Sequence, residues 1–194
     1  MLAHPRHPRS APVSAETTSL VNHAQIDQTE LSESFRSLFR QHPSGVAVLT
    51  AQSEDGPVAM TITSLTSVNA SPALVAFSLS TASSATPGIL SSPSILVHFI
   101  DEESLAVAQV AATSGVDRFA DLDSWSYLPS GEPHYSAVQR WARGTIRSTL
   151  DVDGAVLVVL DVIEARDGRA GSERAGGGVV YRNRIWHELG APHS

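Results

Sequence analysis

Short β-prone segments separated by turn residues run through most of the chain, and this pattern limits the possible folds more than any other feature. Seven such segments are bounded by Gly, Pro, Asn, Asp or Ser. In chain order they are GVAVLTA, VAMTITSLTSV, ALVAFSLS, SILVHFI, AVQRWARGTIRSTL, GAVLVVLDVIEA and GVVYRNRIWHEL. Because a sheet of this many strands gains by hiding its edges, we predict a mainly β fold with a closed or partly closed barrel.

Helices are predicted at few places. The stretch ELSESFRSLFRQ has apolar residues at i, i+4, i+7 and i+8, which form one stripe on a helix that ends before Pro43. These residues are Leu31, Phe35, Leu38 and Phe39. A second helix is predicted in EESLAVAQVAATS and a helical turn in TASSATPGILSS. The barrel is therefore expected to carry a short N-terminal helix and one or two inserted helices.

One domain accounts for most of the chain. Its 194 residues suffice for a single core, and a hydrophobic fraction of 42% with a charged fraction of 17% is typical of folded proteins. Residues 1–28 are rich in Pro, Ser, Ala and His and lack periodicity, so we expect a disordered tail there. The domain is then expected at 29–190, followed by a short tail at 191–194.

Charge and hydropathy argue against several partners. A net charge of −7 disfavours nucleic acid and an anionic membrane surface as the main partner. No apolar run approaches the roughly 18 residues that a membrane span needs, and the N-terminus has no apolar region of a secretory signal. We therefore expect a cytoplasmic protein that contacts neither membrane nor nucleic acid.

Two residue types are absent from the sequence. The lack of Cys excludes thiolate nucleophiles, disulfides, iron–sulfur clusters and Cys-rich zinc sites. All 13 basic residues are Arg, so Schiff-base lysines and the P-loop lysine are excluded as well. His187 and His193 lack the i, i+4 helical spacing of a zinc protease. We expect no metal site and no catalytic side chain in the usual sense, so a cofactor would have to supply the chemistry of an enzyme.

Hydroxyl groups are concentrated in two segments. In MTITSLTSVNASP, residues 60–72, six of the thirteen residues are Ser or Thr, and the pattern recurs in SLSTASSAT at 78–86. Thr on the solvent face of a half-buried strand explains part of this pattern. Alternatively, both segments close a strand and line one polar cleft, which would suit a ligand with many acceptor atoms and a phosphate. The residues alone leave both interpretations open.

Four segments occur in a familiar order along the chain. They are FRSLFRQHPSGVAVLTA, PVAMTITSLTSVNASPALVAFSLSTASS, SGVDRFADLDSW and VVYRNRIWHEL. Together they resemble the flavin reductase-like family, the FMN-binding split barrels that act as reductase components of two-component monooxygenases. The resemblance runs from about Phe35 to Leu189. It implies an FMN-binding split β-barrel, a homodimer, and hydride transfer from NADH or NADPH to FMN or FAD. The reduced flavin would then serve a partner monooxygenase.

The resemblance also implies which residues contact the cofactor. Positions that wrap the ring system and ribityl chain match Pro57, Val58, Ala59, Met60, Thr61, Thr63 and Ser64, and further flavin contacts match Ser78 and Ser80. The phosphate loop matches Ser83, Ser84 and Thr86. Arg118 and Phe119 fall in a segment that lies beside the nicotinamide in the family, although Phe119 could equally anchor its loop to the core. Trp186 either stacks on a ring or packs the barrel.

Two departures from the family pattern keep other functions open. Near Asp151–Ala155 the family commonly has Gly-Asp-His, whereas this chain has DVDGA. In the last strand, the Gly and Tyr that close over the nicotinamide side are replaced. The alternatives are a flavin-binding protein that takes no hydride from a nicotinamide, an oxidase of a pyridoxine-phosphate-like substrate, and a β domain without flavin. The absence of Lys counts against the oxidase.

Overall fold

The structure is a computed structural model that describes residues 27–168 and 177–190. The predicted tails at 1–28 and 191–194 lie outside the described residues, except for the last two positions of the first. The chain separates into two units, Met1–Ser37 and Leu38–Ser194. Helix α1 (Gln28–Gln41) contains the boundary between them, and it forms where the apolar spacing predicted a helix.

Strands dominate the second unit. In chain order they are β1 (Ser44–Gly45), β2 (Ala47–Ser53), β3 (Gly56–Ile62), β4 (Thr66–Ala70), β5 (Ala73–Ser80), β6 (Ile95–Phe99), β7 (Trp125–Tyr127), β8 (Pro133–Tyr135), β9 (Arg140–Val152), β10 (Ala155–Asp167), β11 (Val179–Arg182) and β12 (Ile185–Glu188). The helices are α2 (Thr86–Ser91) and α3 (Leu105–Ala112), with a short 3-10 turn at Glu102–Ser104. This element content confirms the mainly β prediction.

Seven strands form one antiparallel sheet in the spatial order β3-β2-β6-β9-β10-β5-β4. The chain passes directly from β3 at one edge to β4 at the other. Ser64 lies in this connection, and its hydroxyl donates to Ser78 O at 3.1 Å and accepts from Ser78 N at 3.0 Å. One side chain thus joins the β3–β4 connection to β5 and narrows the gap between the sheet edges.

The two faces of the sheet bury different clusters. The inner face holds Leu49, Phe77, Val97 and Leu160, with Ile89 of α2 packed among them. The outer face is covered by α3, the β7–β8 hairpin and β11, whose buried residues form a second cluster. Its members include Val48, Ala59, Ala108, Ala111, Phe119, Tyr135 and Val138. The segment between α3 and β9 therefore belongs to the core of the outer face.

Three details differ from the sequence-based expectations. The run VAMTITSLTSV forms two strands, because the chain leaves the sheet at 63–65 before β4 begins. The run GVVYRNRIWHEL forms the β11–β12 hairpin, whose two turn residues Asn183 and Arg184 have φ values of 51° and 62°. The stretch between α3 and β9, which contains none of the seven predicted β segments, forms the β7–β8 hairpin. No helix in the described part of the chain is long and apolar enough to cross a membrane.

Candidate functional site

A cavity of about 510 Å³ lies between the end of β3, the connection from β5 to α2, and the end of α3. We call it the hydroxyl cavity. It is lined by Met60, Thr61, Ser80, Ala82, Ser83, Ser84, Ala111, Ala112, Ser114, Gly115, Val116 and Arg118. The two hydroxyl-rich segments of the sequence thus contribute to one polar cavity, although they are separate in the chain.

A smaller cavity of about 180 Å³ adjoins the first and shares Ser84, Val116 and Arg118 with it. We call it the loop cavity, because Asp117 and Phe119 of the segment after α3 form one of its walls. Its other lining residues are Pro57, Val58, Ala59 and Ala85. The two cavities therefore bring together the β3 segment, part of the predicted phosphate loop, and Arg118.

The predicted site residues divide into two groups. Those that line one of the two cavities are Pro57, Val58, Ala59, Met60, Thr61, Ser80, Ser83, Ser84, Arg118 and Phe119. The others, Thr63, Ser64, Ser78, Thr86 and Trp186, are not lining residues of either cavity. Ser64 and Ser78 bond to each other, as described above, which gives them a role in closing the sheet. Trp186 packs against Tyr181 with a centroid separation of 4.8 Å.

Several hydroxyls near the cavities bond to the backbone. Thr61 Oγ1 donates to Ala108 O at 2.7 Å and so ties β3 to α3. Thr86 is buried, and its Oγ1 donates to Ser80 O at 2.7 Å across the base of the β5–α2 connection. Ser83 Oγ accepts from Ala85 N at 3.4 Å. These bonds fix the shape of the connection and leave each hydroxyl oxygen with further hydrogen-bonding capacity.

Arg118 is the cation of the hydroxyl cavity. Its Nε donates to Ala111 O at 3.0 Å and its Nη2 to Thr113 O at 3.1 Å. These acceptors are carbonyl groups at the C-terminal end of α3, where a cation is favourably placed. Because a guanidinium has five N–H donors, it can make both bonds and still donate to an anion in the cavity.

Aromatic side chains surround the segment that carries Arg118. Phe119 is buried and stacks on Tyr135 with a centroid separation of 5.5 Å and an interplanar angle of 7°. Trp125 meets Phe119 edge to face at 4.8 Å. Asp117 Oδ1 accepts from Phe119 N at 2.9 Å, so this carboxylate shapes the turn. Phe119 therefore anchors the segment to the core while it contributes to the loop cavity.

The α3 wall of the hydroxyl cavity was not predicted. It consists of small residues, Ala111 and Ala112, followed by Ser114 and Gly115. Gly115 has a φ of +75°, a conformation that favours glycine and turns the chain back toward β3. The available signal was the predicted end of the helix at this glycine, three residues before Arg118.

A larger cavity of about 840 Å³ lies elsewhere on the outer face, against β8, β9 and β10. We call it the charged cavity. Its charges pair with one another: Arg143 Nη2 lies 3.1 Å from Glu164 Oε2, and Arg166 Nε lies 3.4 Å from Glu164 Oε1. Arg143 Nη1 also lies 3.7 Å from Glu132 Oε1. Arg166 lies over the ring of Trp141, 5.4 Å from its centroid.

Two buried titratable groups lie beside the charged cavity. Glu132 accepts hydrogen bonds from the hydroxyls of Ser94 and Ser130. Burial alone would raise the pKa of Glu132, but these bonds outweigh it and hold the pKa below its ordinary value. His98 is fully buried, and burial together with the neighbouring His134 lowers its pKa to about 3. It is therefore neutral at physiological pH.

Comparison with known proteins places this chain in a family. The family model described as "Flavin reductase like domain" matches residues 39–190. The chain belongs to this family. A crystal structure of a flavin reductase domain protein from Arthrobacter sp. FB24 superposes with a TM-score of 0.77 at 26% identity, covering 84% of this chain and 98% of the other. The family resemblance and the split-barrel fold expected from the sequence are thereby confirmed.

Relatives of known activity match part or most of the chain. An NADH:FMN oxidoreductase from Rhodococcus erythropolis is 35% identical over 125 residues, which cover 64% of this chain and 65% of that protein. The match thus spans slightly less than two thirds of that relative. The reductase component of a 4-nitrophenol 4-monooxygenase/4-nitrocatechol 2-monooxygenase from Rhodococcus opacus is 27% identical over 167 residues, covering 82% of this chain and 88% of that protein.

Proposed function

We propose that this protein is an NAD(P)H:flavin oxidoreductase that transfers a hydride from a nicotinamide to FMN and supplies reduced flavin to a partner monooxygenase. The observation that carries the proposal is the hydroxyl cavity, where Ser83, Ser84 and Arg118 line one space with the end of β3. Membership of the flavin reductase-like family supports it. So do the relatives, which include an NADH:FMN oxidoreductase and a monooxygenase reductase component.

The residues of the hydroxyl cavity fit FMN in size and in chemistry. Its volume of about 510 Å³ lies in the range of small-molecule sites. Hydroxyl groups and a guanidinium are suitable donors for a phosphate in a chain that has no Lys. Met60, Ala111 and Val116 add apolar surface for a ring system. FAD stays an alternative flavin, since nothing in this set of residues selects against a longer ligand.

The chain's own residues would act by binding and positioning. We assign the phosphate to Ser83, Ser84 and Arg118, and the ring system to the β3 residues from Pro57 to Thr61. This moves Arg118 from the nicotinamide side, where sequence resemblance put it, to the phosphate side. FMN when bound would supply the acceptor for the hydride of NAD(P)H, and one proton from solvent would complete the reduced flavin. Such a step needs the two rings to be aligned, and it needs no general acid or base from the protein.

A flavin-binding protein without nicotinamide-dependent reduction is the second candidate, and one observation favours it. The segment Asp151–Ala155, where the family commonly has a His, ends beside the proposed site. Ala155 pairs with Ser80, which lines the hydroxyl cavity. The absence of a His side chain at this place would alter the part of the site that the nicotinamide has to approach.

Anaerobic absorbance spectra distinguish the two candidates. The protein is mixed with FMN, and the oxidised-flavin band is recorded before and after addition of NADH, and in a second sample of NADPH. Protein-dependent loss of the band is the expected result and identifies the donor. Bound flavin that stays oxidised with both donors would instead support the second candidate, and failure to bind flavin would contradict both.

We further propose that the protein is a homodimer. Leu150 and Leu157 are paired across β9 and β10 and are 58% and 40% exposed. Strand β9 pairs with β6 only as far as Gly144, so its later residues form a sheet edge on that side within the described structure. An exposed apolar face next to an open strand edge is typical of a surface that a second copy covers.

Light scattering coupled to size exclusion tests the dimer. The wild type is expected at twice the mass of one chain, and Leu157→Asp at the mass of one chain. A monomeric wild type at micromolar concentration would contradict this proposal. The cytoplasmic location expected from the sequence stays a prediction.

A further inference from the structure

Two successive carbonyl oxygens beside the hydroxyl cavity are held by aromatic side chains. The Tyr135 hydroxyl donates to Arg118 O at 2.9 Å, and Trp125 Nε1 donates to Phe119 O at 3.0 Å. Both donors belong to the β7–β8 hairpin, and neither of them lines the hydroxyl cavity or the loop cavity. The backbone that carries Arg118 is therefore fixed by side chains outside the cavity that would hold the proposed ligand.

Tyr135 is in turn held by His98. Tyr135 N donates to His98 Nε2 at 3.2 Å, so Nε2 carries no proton and Nδ1 donates to Val48 O at 3.2 Å. A neutral imidazole with one donor and one acceptor is the form that satisfies both bonds. His98 thus links β2, β6 and β8, and it fixes the backbone position from which the Tyr135 side chain reaches Arg118.

Arg118 is held at both ends. Its carbonyl oxygen bonds to Tyr135, and its guanidinium bonds to the carbonyl groups at the end of α3. Tyr135 itself lines neither the hydroxyl cavity nor the loop cavity. Any effect of the Tyr135 hydroxyl on a ligand in the hydroxyl cavity must therefore pass through another residue, and Arg118 is the cavity residue that it touches.

We propose that Tyr135 is a positioning residue for the flavin phosphate: its hydroxyl holds the Arg118 backbone so that the guanidinium stays in the wall of the hydroxyl cavity. This inference rests on the proposed function, because it assumes that the anion in the cavity is a flavin phosphate. Burial raises the pKa of Tyr135 to about 12, so the hydroxyl remains a donor over the pH range of ordinary assays.

The test compares Tyr135→Phe with the matched control Tyr127→Phe. The Tyr127 hydroxyl donates to Gln52 Oε1 at 2.9 Å on an exposed part of the same hairpin. Steady-state kinetics are measured with FMN and with riboflavin, which has no phosphate. For Tyr135→Phe we expect the KM for FMN to rise about threefold to tenfold, the range for loss of one hydrogen bond, while the KM for riboflavin and kcat stay within twofold. Tyr127→Phe should change none of these values.

Two further measurements separate positioning from a general loss of structure. In an Arg118→Gln background, Tyr135→Phe should have no additional effect on the KM for FMN, because the two residues act on the same contact. Hydrogen exchange over 115–119 should be faster in Tyr135→Phe than in wild type or in Tyr127→Phe. Equal increases in KM for FMN and riboflavin, or additive effects in the double variant, would overturn the proposal.

Failure of the proposed function has its own signature. A wild-type protein that neither binds nor reduces either flavin would contradict the proposed function. It would also contradict the assignment of a flavin phosphate to Arg118, and therefore the proposed role of Tyr135. The exchange measurement needs no flavin, so unchanged exchange in Tyr135→Phe with normal reduction of FMN by the wild type would overturn the positioning alone.

Discussion

The hydroxyl cavity and the charged cavity differ in how their charges are satisfied. The charged cavity is larger, but Arg143 and Arg166 share Glu164, and Arg143 also approaches Glu132. In the hydroxyl cavity, Arg118 bonds to neutral carbonyl oxygens, which leave its positive charge available to an anion. Our proposal for the site therefore rests on the state of pairing of each charge and not on cavity volume.

This difference divides the polar groups by role. Those near the charged cavity should serve stability, since each is already paired within the protein. Those of the hydroxyl cavity should serve binding, since donors there are still available. Variants on the two sides should then change different quantities, either the free energy of unfolding or the KM for flavin.

The largest expected effect on stability is at Glu132. Glu132→Ala removes a buried carboxylate that accepts from Ser94 and Ser130, and the two hydroxyls lose their partner. We expect a loss of about 3 kcal/mol in the free energy of unfolding by urea, with an unchanged KM for FMN well below the melting temperature. As a control, Glu164→Ala should cost less, because this side chain is 33% exposed and solvent screens its ion pairs. A changed KM for FMN in Glu132→Ala would contradict the division of the polar groups into those that serve stability and those that serve binding.

The largest expected effect on binding is at Arg118. Arg118→Gln removes the cation of the hydroxyl cavity, and we expect the KM for FMN to rise about tenfold to a hundredfold, the range for hydrogen bonds to a charged group. The KM for riboflavin should change much less. Arg166→Gln is the matched control from the charged cavity, since this guanidinium is 68% exposed and paired with Glu164. If the KM for FMN rose equally in both variants, the positive charge of Arg118 would act without a specific contact to the flavin.

Acid should lower the free energy of unfolding through His98, which lies beside the charged cavity. The folded-state pKa of about 3 lies below the ordinary value of 6.5, so only the unfolded chain takes up a proton between these values. The stabilisation is complete above pH 6.5 and is lost as the pH falls toward 3, with a slope of at most about 1.4 kcal/mol per pH unit. Urea unfolding at pH 7.5, 6.5 and 5.5 measures it. His98→Gln should be less stable at pH 7.5 and show a smaller change between pH 6.5 and 5.5, and an identical slope would contradict the assignment to His98.

The smallest effect is expected in the β11–β12 turn, which lines neither cavity. Arg184 has a φ of 62°, a conformation in which side chains are strained and glycine is not. Arg184→Gly should therefore raise the free energy of unfolding by about 0.5 kcal/mol and leave the KM for FMN unchanged. If the KM for FMN or for the nicotinamide rises instead, the strained Arg184 contributes to a site, and the two-cavity division is incomplete.

Local sequence patterns predicted the elements better than the contacts between them. Helix α1 and strands β5 and β10 follow from apolar spacing and continuous apolar runs, as expected. The β11–β12 hairpin was missed because its turn is Asn183-Arg184, and the usual Asn-Gly or Asp-Gly signal is absent. The concentration of hydroxyls indicated two walls of the cavity. The third wall comes from α3, whose small residues carry no local signal of a binding role.

Long-range contacts set the remaining features of the site. Tyr135 and Arg118 meet because the β7–β8 hairpin and the segment after α3 pack in one buried cluster, and His98 joins Tyr135 from 37 residues away in the chain. Hydrophobic periodicity and composition describe one segment at a time, so they cannot indicate a contact between residues that are far apart in the chain. Resemblance predicts Arg118 on the nicotinamide side, and our proposal assigns it to the phosphate because it lines one cavity with Ser83 and Ser84.

A crystal structure of the protein with bound FMN is the most direct measurement of the central claim, that the hydroxyl cavity is the flavin site. We expect the phosphate within hydrogen-bond distance of Arg118 and of the Ser83 or Ser84 hydroxyl, with the ring system against β3. Density for the flavin in the charged cavity, or a phosphate that contacts neither Arg118 nor these serines, would contradict it.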